Sequence, residues 1–100
     1  ESFETAEAIE PEDATLQFNL GTAYLSLGNF VQAVTSLDKA IKLDPSNSDA
    51  YGNRAVANAA LGQETLVTAD VEKAISLGAP PEGIESVLNY VRERVNPDQD

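Results

Sequence analysis

Two asparagines, Asn19 and Asn53, lie 34 residues apart. Each brings two amide donors and one carbonyl acceptor, so each is able to pair with both the N–H and the C=O of a peptide bond. Such amides, repeated at a fixed spacing, suit an extended peptide of variable sequence better than a reacting substrate. The other chemistry-bearing residues point away from catalysis. There is no His and no Cys, which removes the commonest general base, the commonest metal ligand and every thiolate site. Carboxylates pair at short spacing, Asp70 with Glu72 and Glu82 with Glu85. A chain rich in acids generates such pairs by composition, and no deep apolar pocket is expected to raise a carboxyl pKa for acid–base work. Asp44-Pro45-Ser46-Asn47-Ser48-Asp49 offers the oxygens of a calcium loop. It lacks the mid-loop Gly and the distal bidentate Glu, and reads as a turn. Gly-rich phosphate loops are absent too. Neither an enzyme activity nor a metal or cofactor is expected.

Charge narrows the partners. Seventeen acids against six bases give a net charge of −11. Six of the acids (Glu1, Glu4, Glu7, Glu10, Glu12 and Asp13) fall in the first thirteen residues. This balance repels a phosphate backbone and an anionic lipid surface, so neither nucleic acid nor membrane is an expected partner. It favours a neutral or basic protein segment. No run approaches the roughly 20 apolar residues of a membrane span, and no signal peptide is visible. The chain starts at Glu1 and contains no Met, so it is read as an excised domain or processed product whose compartment the sequence leaves open.

The elements that must position these residues repeat with the same spacing. Leu27-Gly28 recurs as Leu61-Gly62, Lys39-Ala40-Ile41 as Lys73-Ala74-Ile75, and Ala23 as Ala57. A period of this length marks a stacked-repeat architecture. Apolar residues recur at helical spacing over 14–27, 30–43, 48–61, the segment around Leu66–Leu77, and 82–95. Asp13 is the expected first N-cap, and Ser46 or Ser48 the expected cap of the third helix. Gly28, Gly62 and Gly78 supply the stops, and Pro81 suits a first helical turn. No segment alternates with period two, so the expected class is all-α. The period also reaches the flanks. Subtracting 34 from Leu37, Ala40 and Pro45 gives Phe3, Ala6 and Pro11, while adding 34 to Ala50, Arg54, Ala57 and Leu61 gives Ile84, Leu88, Val91 and Val95.

Leu20-Gly21, Tyr24, Ala33, Leu37, Ala40 and Pro45, and one period later Tyr51, Ala55, Gly62, Val71 and Ala74, resemble the tetratricopeptide repeat. The second unit departs from the family pattern at Arg54, Asn58, Val67 and Ala79. The resemblance implies a right-handed superhelical stack of helix-turn-helix units, an α-α solenoid. Its expected divisions are 1–11 as the second helix of a truncated repeat, 14–47 and 48–81 as two full repeats, 82–95 as a capping helix whose wet face holds Glu85, Arg92, Glu93 and Arg94, and 96–100 as a tail.

In this family the first helix of each unit lines a concave groove. By resemblance the groove positions are Thr15, Phe18, Asn19, Thr22 and Ser26, then Asp49, Gly52, Asn53, Val56 and Ala60, then Gly83, Ser86, Val87 and Tyr90. The expected peptide-binding set is Phe18, Asn19, Thr22, Asn53, Val56 and Tyr90, with Phe18, Val56 and Tyr90 as anchors. Tyr51-Gly52-Asn53-Arg54-Ala55 is also similar to the middle repeat of co-chaperones that clamp acidic chaperone tails. That clamp needs Lys and Asn in the repeat before and Lys and Arg in the repeat after, where this chain has Phe18 and Thr22, then Gly83 and Ser86, none of them cationic, so an acidic-tail ligand is excluded. The resemblance implies a protein–protein interaction module, an adaptor or assembly scaffold that binds a partner's peptide segment. The alternative is a structural part of a longer solenoid, or self-association through the half-repeat with Phe3, Ala6 and Ile9 as the assembly surface.

Overall fold

A computed structural model of the chain describes residues 13–95. The expected half-repeat at 1–11, with Phe3, Ala6 and Ile9, and the tail at 96–100 lie outside the described residues. Five α-helices follow one another: α1 (Ala14–Ser26), α2 (Phe30–Leu43), α3 (Ser48–Ala60), α4 (Glu64–Ser76) and α5 (Pro81–Val95). No strand occurs among the described residues, and the all-α expectation holds.

Local chemistry sets the helix ends. The Asp13 side chain accepts a hydrogen bond from the Leu16 N–H at 3.1 Å and caps α1. The cap of α3 is Asn47 rather than Ser46 or Ser48. Its side-chain oxygen accepts from the N–H groups of Asp49 at 3.0 Å and Ala50 at 3.2 Å. Ser46 is already engaged, donating its hydroxyl to Asp44 at 2.7 Å. Three helices end in the same way. Gly28, Gly62 and Gly78 take φ of 81°, 79° and 113°, and the next residue's N–H closes onto a carbonyl five residues back, as Asn29 does onto Tyr24 and Gln63 onto Asn58. These reversals lay α2 back along α1 and α4 back along α3.

Packing then gathers the helices around α3. Helix α1 packs on α2, α2 on α3, α3 on α4, and α5 on α3, with a lighter contact between α1 and α3. Close approach requires small residues. Ala50, Ala55, Ala57 and Ala59 of α3 are essentially sealed from solvent. Leu37 and Val67 are the largest fully buried side chains. Ala55, Ala59, Val67 and Leu88 form one core cluster that joins α3, α4 and α5.

The tightest place is Gly21. A Cβ there would lie 2.6 Å from Leu37 Cγ and 3.3 Å from the Ala33 carbonyl oxygen. In the second unit the same position is Ala55, which faces Val67 instead of the Ala33–Leu37 pair. Helix propensity alone would make Gly21→Ala stabilising by about 1 kcal/mol. Steric overlap reverses the sign, and urea unfolding should show a loss of about 1–3 kcal/mol.

Candidate functional site

Helices α1, α3 and α5 lie side by side, and the expected groove positions fall on them. Asn53 is half-buried. Its Nδ2 donates to Thr22 Oγ1 at 3.1 Å, and the Thr22 hydroxyl donates onward to the Phe18 carbonyl oxygen at 3.0 Å. This chain fixes the rotamer of Asn53 across two helices and leaves one amide hydrogen and the amide oxygen for a ligand. Beside it, a cleft of about 230 Å³ is lined by Asp49, Gly52, Asn53 and Val56 of α3 and by Gly83, Ile84 and Val87 of α5, with Pro80 at one end. Val87 is 46% exposed. Val56 also lines a second depression of about 360 Å³ with Leu25, Phe30, Tyr90 and Arg94, so the two hollows share one wall.

The structure brings Thr22, Asn53 and Val56 together and sets Tyr90 one hollow further along. Phe18 is half-buried and Asn19 is exposed. Neither lines these two hollows, and Asn19 makes no side-chain hydrogen bond among the described residues. Arg94 is exposed, as expected of the wet face of α5. Its guanidinium sits over the Tyr90 ring at 4.9 Å from the centroid and lines the second depression. The four-residue spacing from Tyr90 is the signal for this placement.

Arg54, which stands where the family pattern has Leu, ties three helices together. It donates to both oxygens of Asp70 on α4, at 2.9 and 2.8 Å, and to Asp38 on α2 at 2.7 Å. It also lies over the Tyr51 ring at 5.7 Å. Asp70 is only 5% exposed. Its hydrogen bonds are the largest cause holding the guanidinium above its ordinary pKa, against the opposing effect of burial. A separate ion pair, Arg92 to Glu64 at 2.7 Å, ties α5 to α4 on the surface. It holds the Glu64 carboxyl below its ordinary range. A lowered carboxyl pKa stabilises above the unfolded value, and that contribution is lost as pH falls through the folded one.

These helices, turns and buried small residues are repeat features, and a sequence profile described as a TPR repeat matches residues 21–62. The chain is a member of the tetratricopeptide-repeat family. It is 30% identical over 95 residues to Protein FlbA of Caulobacter vibrioides, covering 95% of this chain and 16% of that protein. It is 39% identical over 66 residues to the Protein STIP1 homolog of Dictyostelium discoideum, covering 66% of this chain and 12% of that protein. It is 31% identical over 91 residues to the Protein SGT1 homolog of Oryza sativa, covering 89% of this chain and 25% of that protein. The chain therefore spans a quarter or less of each of these relatives. The tetratricopeptide repeat is a protein–protein interaction module and is generally non-catalytic. No helix among the described residues is long and apolar enough to cross a membrane.

The two arginines should differ sharply. Arg54→Ala strands a buried carboxylate and should cost about 3 kcal/mol in thermal or urea unfolding. Arg92→Ala removes an exposed pair and should cost less than about 1 kcal/mol near pH 7, and still less once Glu64 is protonated.

Proposed function

We propose that this repeat module binds a short extended segment of a partner protein across α1, α3 and α5, within a larger adaptor or scaffold protein. The observation that carries the reading is Asn53. Its amide is positioned by Thr22 at the edge of an apolar cleft, with one donor and one acceptor to spare. A peptide bond presents the complementary pair. Val56, Ile84 and Val87 offer an apolar seat for one side chain. Asp49 at the same cleft favours a basic neighbour, in keeping with the net charge of −11. Arg94 and Tyr90 stand further along α5, which suits a segment several residues long. Phe18, Asn19 and Thr22 extend the expected contact along α1.

A second reading has its own observation. Leu20 on α1 is 40% and Leu27 at its C-terminal cap 73% exposed, whereas Ala57, the counterpart of Ala23 one period later, is fully buried. That face suits continuation of the stack by the half-repeat carrying Phe3, Ala6 and Ile9, or self-association through it. Size-exclusion chromatography with light scattering separates the two. A monomer that binds peptide supports the groove, and a concentration-dependent dimer supports assembly.

Peptide-array selection should enrich segments with an apolar residue beside Lys or Arg. Asn53→Ala should weaken the selected peptide about tenfold by calorimetry, the loss of roughly one well-made hydrogen bond. Unchanged binding in both Asn53→Ala and Phe18→Ala would refute the groove.

A further inference from the structure

We propose that a notch between α2 and α4, outside the peptide groove and independent of it, receives the phenol ring of a partner protein's tyrosine. The notch has a volume of about 310 Å³. Val34 and Asp38 of α2 form one wall, Leu66 and Ala69 of α4 the other, and Arg54 and Asn58 of α3 the floor.

The floor carries the first observation. Asn58 is 4% exposed, yet its side-chain amide makes no hydrogen bond with the protein among the described residues. No sealed side-chain nitrogen or oxygen lacks a partner there, so the amide reaches the notch opening. A polar side chain this buried ordinarily finds a partner inside the protein. Asn58 instead presents donors and an acceptor to whatever enters.

The molecule itself supplies the shape of the occupant. One period earlier, the residue equivalent to Asn58 is Tyr24. Their backbones are interchangeable. The Tyr24 carbonyl accepts from the N–H groups of Leu27 at 3.1 Å and Asn29 at 2.8 Å, and the Asn58 carbonyl accepts from Leu61 at 3.1 Å and Gln63 at 2.8 Å. The same helix end therefore holds a phenol in one unit and a short amide in the next. The notch is a ring-sized vacancy beside that short amide, with Val34 and Leu66 positioned to face a ring.

Charge selects among rings. Two carboxylates, Asp38 and Asp70, share the single guanidinium of Arg54, which leaves the site one negative charge in excess. Asp38 is half exposed, and only its Oδ1 is taken by Arg54. A phenol hydroxyl donates to the free oxygen, whereas a ring bearing a carboxylate meets repulsion.

The test is an amide-resolved NMR titration of the chain with p-cresol and with N-acetyl-Ala-Tyr-Ala-amide. Both probes should give saturable shifts centred on Asp38, Asn58 and Ala69, and 4-hydroxyphenylacetate should bind several-fold more weakly than p-cresol. Asn58→Tyr fills the notch from its floor and Ala69→Phe from its wall. Either variant, once shown by circular dichroism to be folded, should abolish the shifts. No saturable shift from either probe, or the same shifts in a folded filled variant, overturns the site. Binding of p-cresol without the tripeptide overturns its assignment to a protein tyrosine.

Discussion

Every other described helix leans on α3. Helices α1, α2, α4 and α5 all pack against it, so it is the buried spine of the described stack. A helix so enclosed cannot carry large side chains on every face, and four of its thirteen residues are alanines with almost no exposure. That choice costs apolar area, because each Ala buries little. Its return is distance, since small side chains let helix axes approach until the backbones nearly touch. Repeats of this kind are stable only as stacks, because each unit's apolar face is completed by its neighbour.

The same enclosure explains the two polar features. Arg54 rises from α3 between α2 and α4, where a Leu would fit the repeat pattern. Its guanidinium meets carboxylates on both sides, so the register of α2 and α4 relative to α3 is fixed by directional bonds as well as by packing. On another face of α3, Asn53 reaches α1 through Thr22. One helix thus braces the fold on one side and presents a held amide on the other. A substitution that shifted α3 would disturb both together.

Much of the fold was legible because the repeat writes itself at 34 residues. Leu27-Gly28 and Leu61-Gly62 announce the turns, and the positive φ at both glycines is the physical reason for their type. Asp13 as a cap was equally plain. The cap of α3 differs from the expected one because Ser46, Asn47 and Ser48 are all able to cap; Asp44 occupies Ser46, and Ser48 already belongs to the first turn, which leaves Asn47. Contacts between helices were harder. Arg54 and Asn58 stood out in the sequence only as departures from a pattern. That one bridges two acids and the other floors a notch depends on which helices meet, and no single helix encodes that. Asn19 and Asn53 are equivalent by period, but only Asn53 has a threonine on the neighbouring described helix to hold it. Arg94 is exposed as its charge implies, and its stacking on Tyr90 follows from the four-residue spacing on one helix.

The central claim is that partners are read on the face built by α1, α3 and α5. Site-specific photo-crosslinking tests it most directly, with a benzophenone residue placed either at Val87 beside the cleft or at exposed Glu72 on α4. The account predicts that a selected peptide forms adducts at Val87, mapping to one short contiguous stretch, and few at Glu72. Adducts at Glu72 with none at Val87 would contradict it.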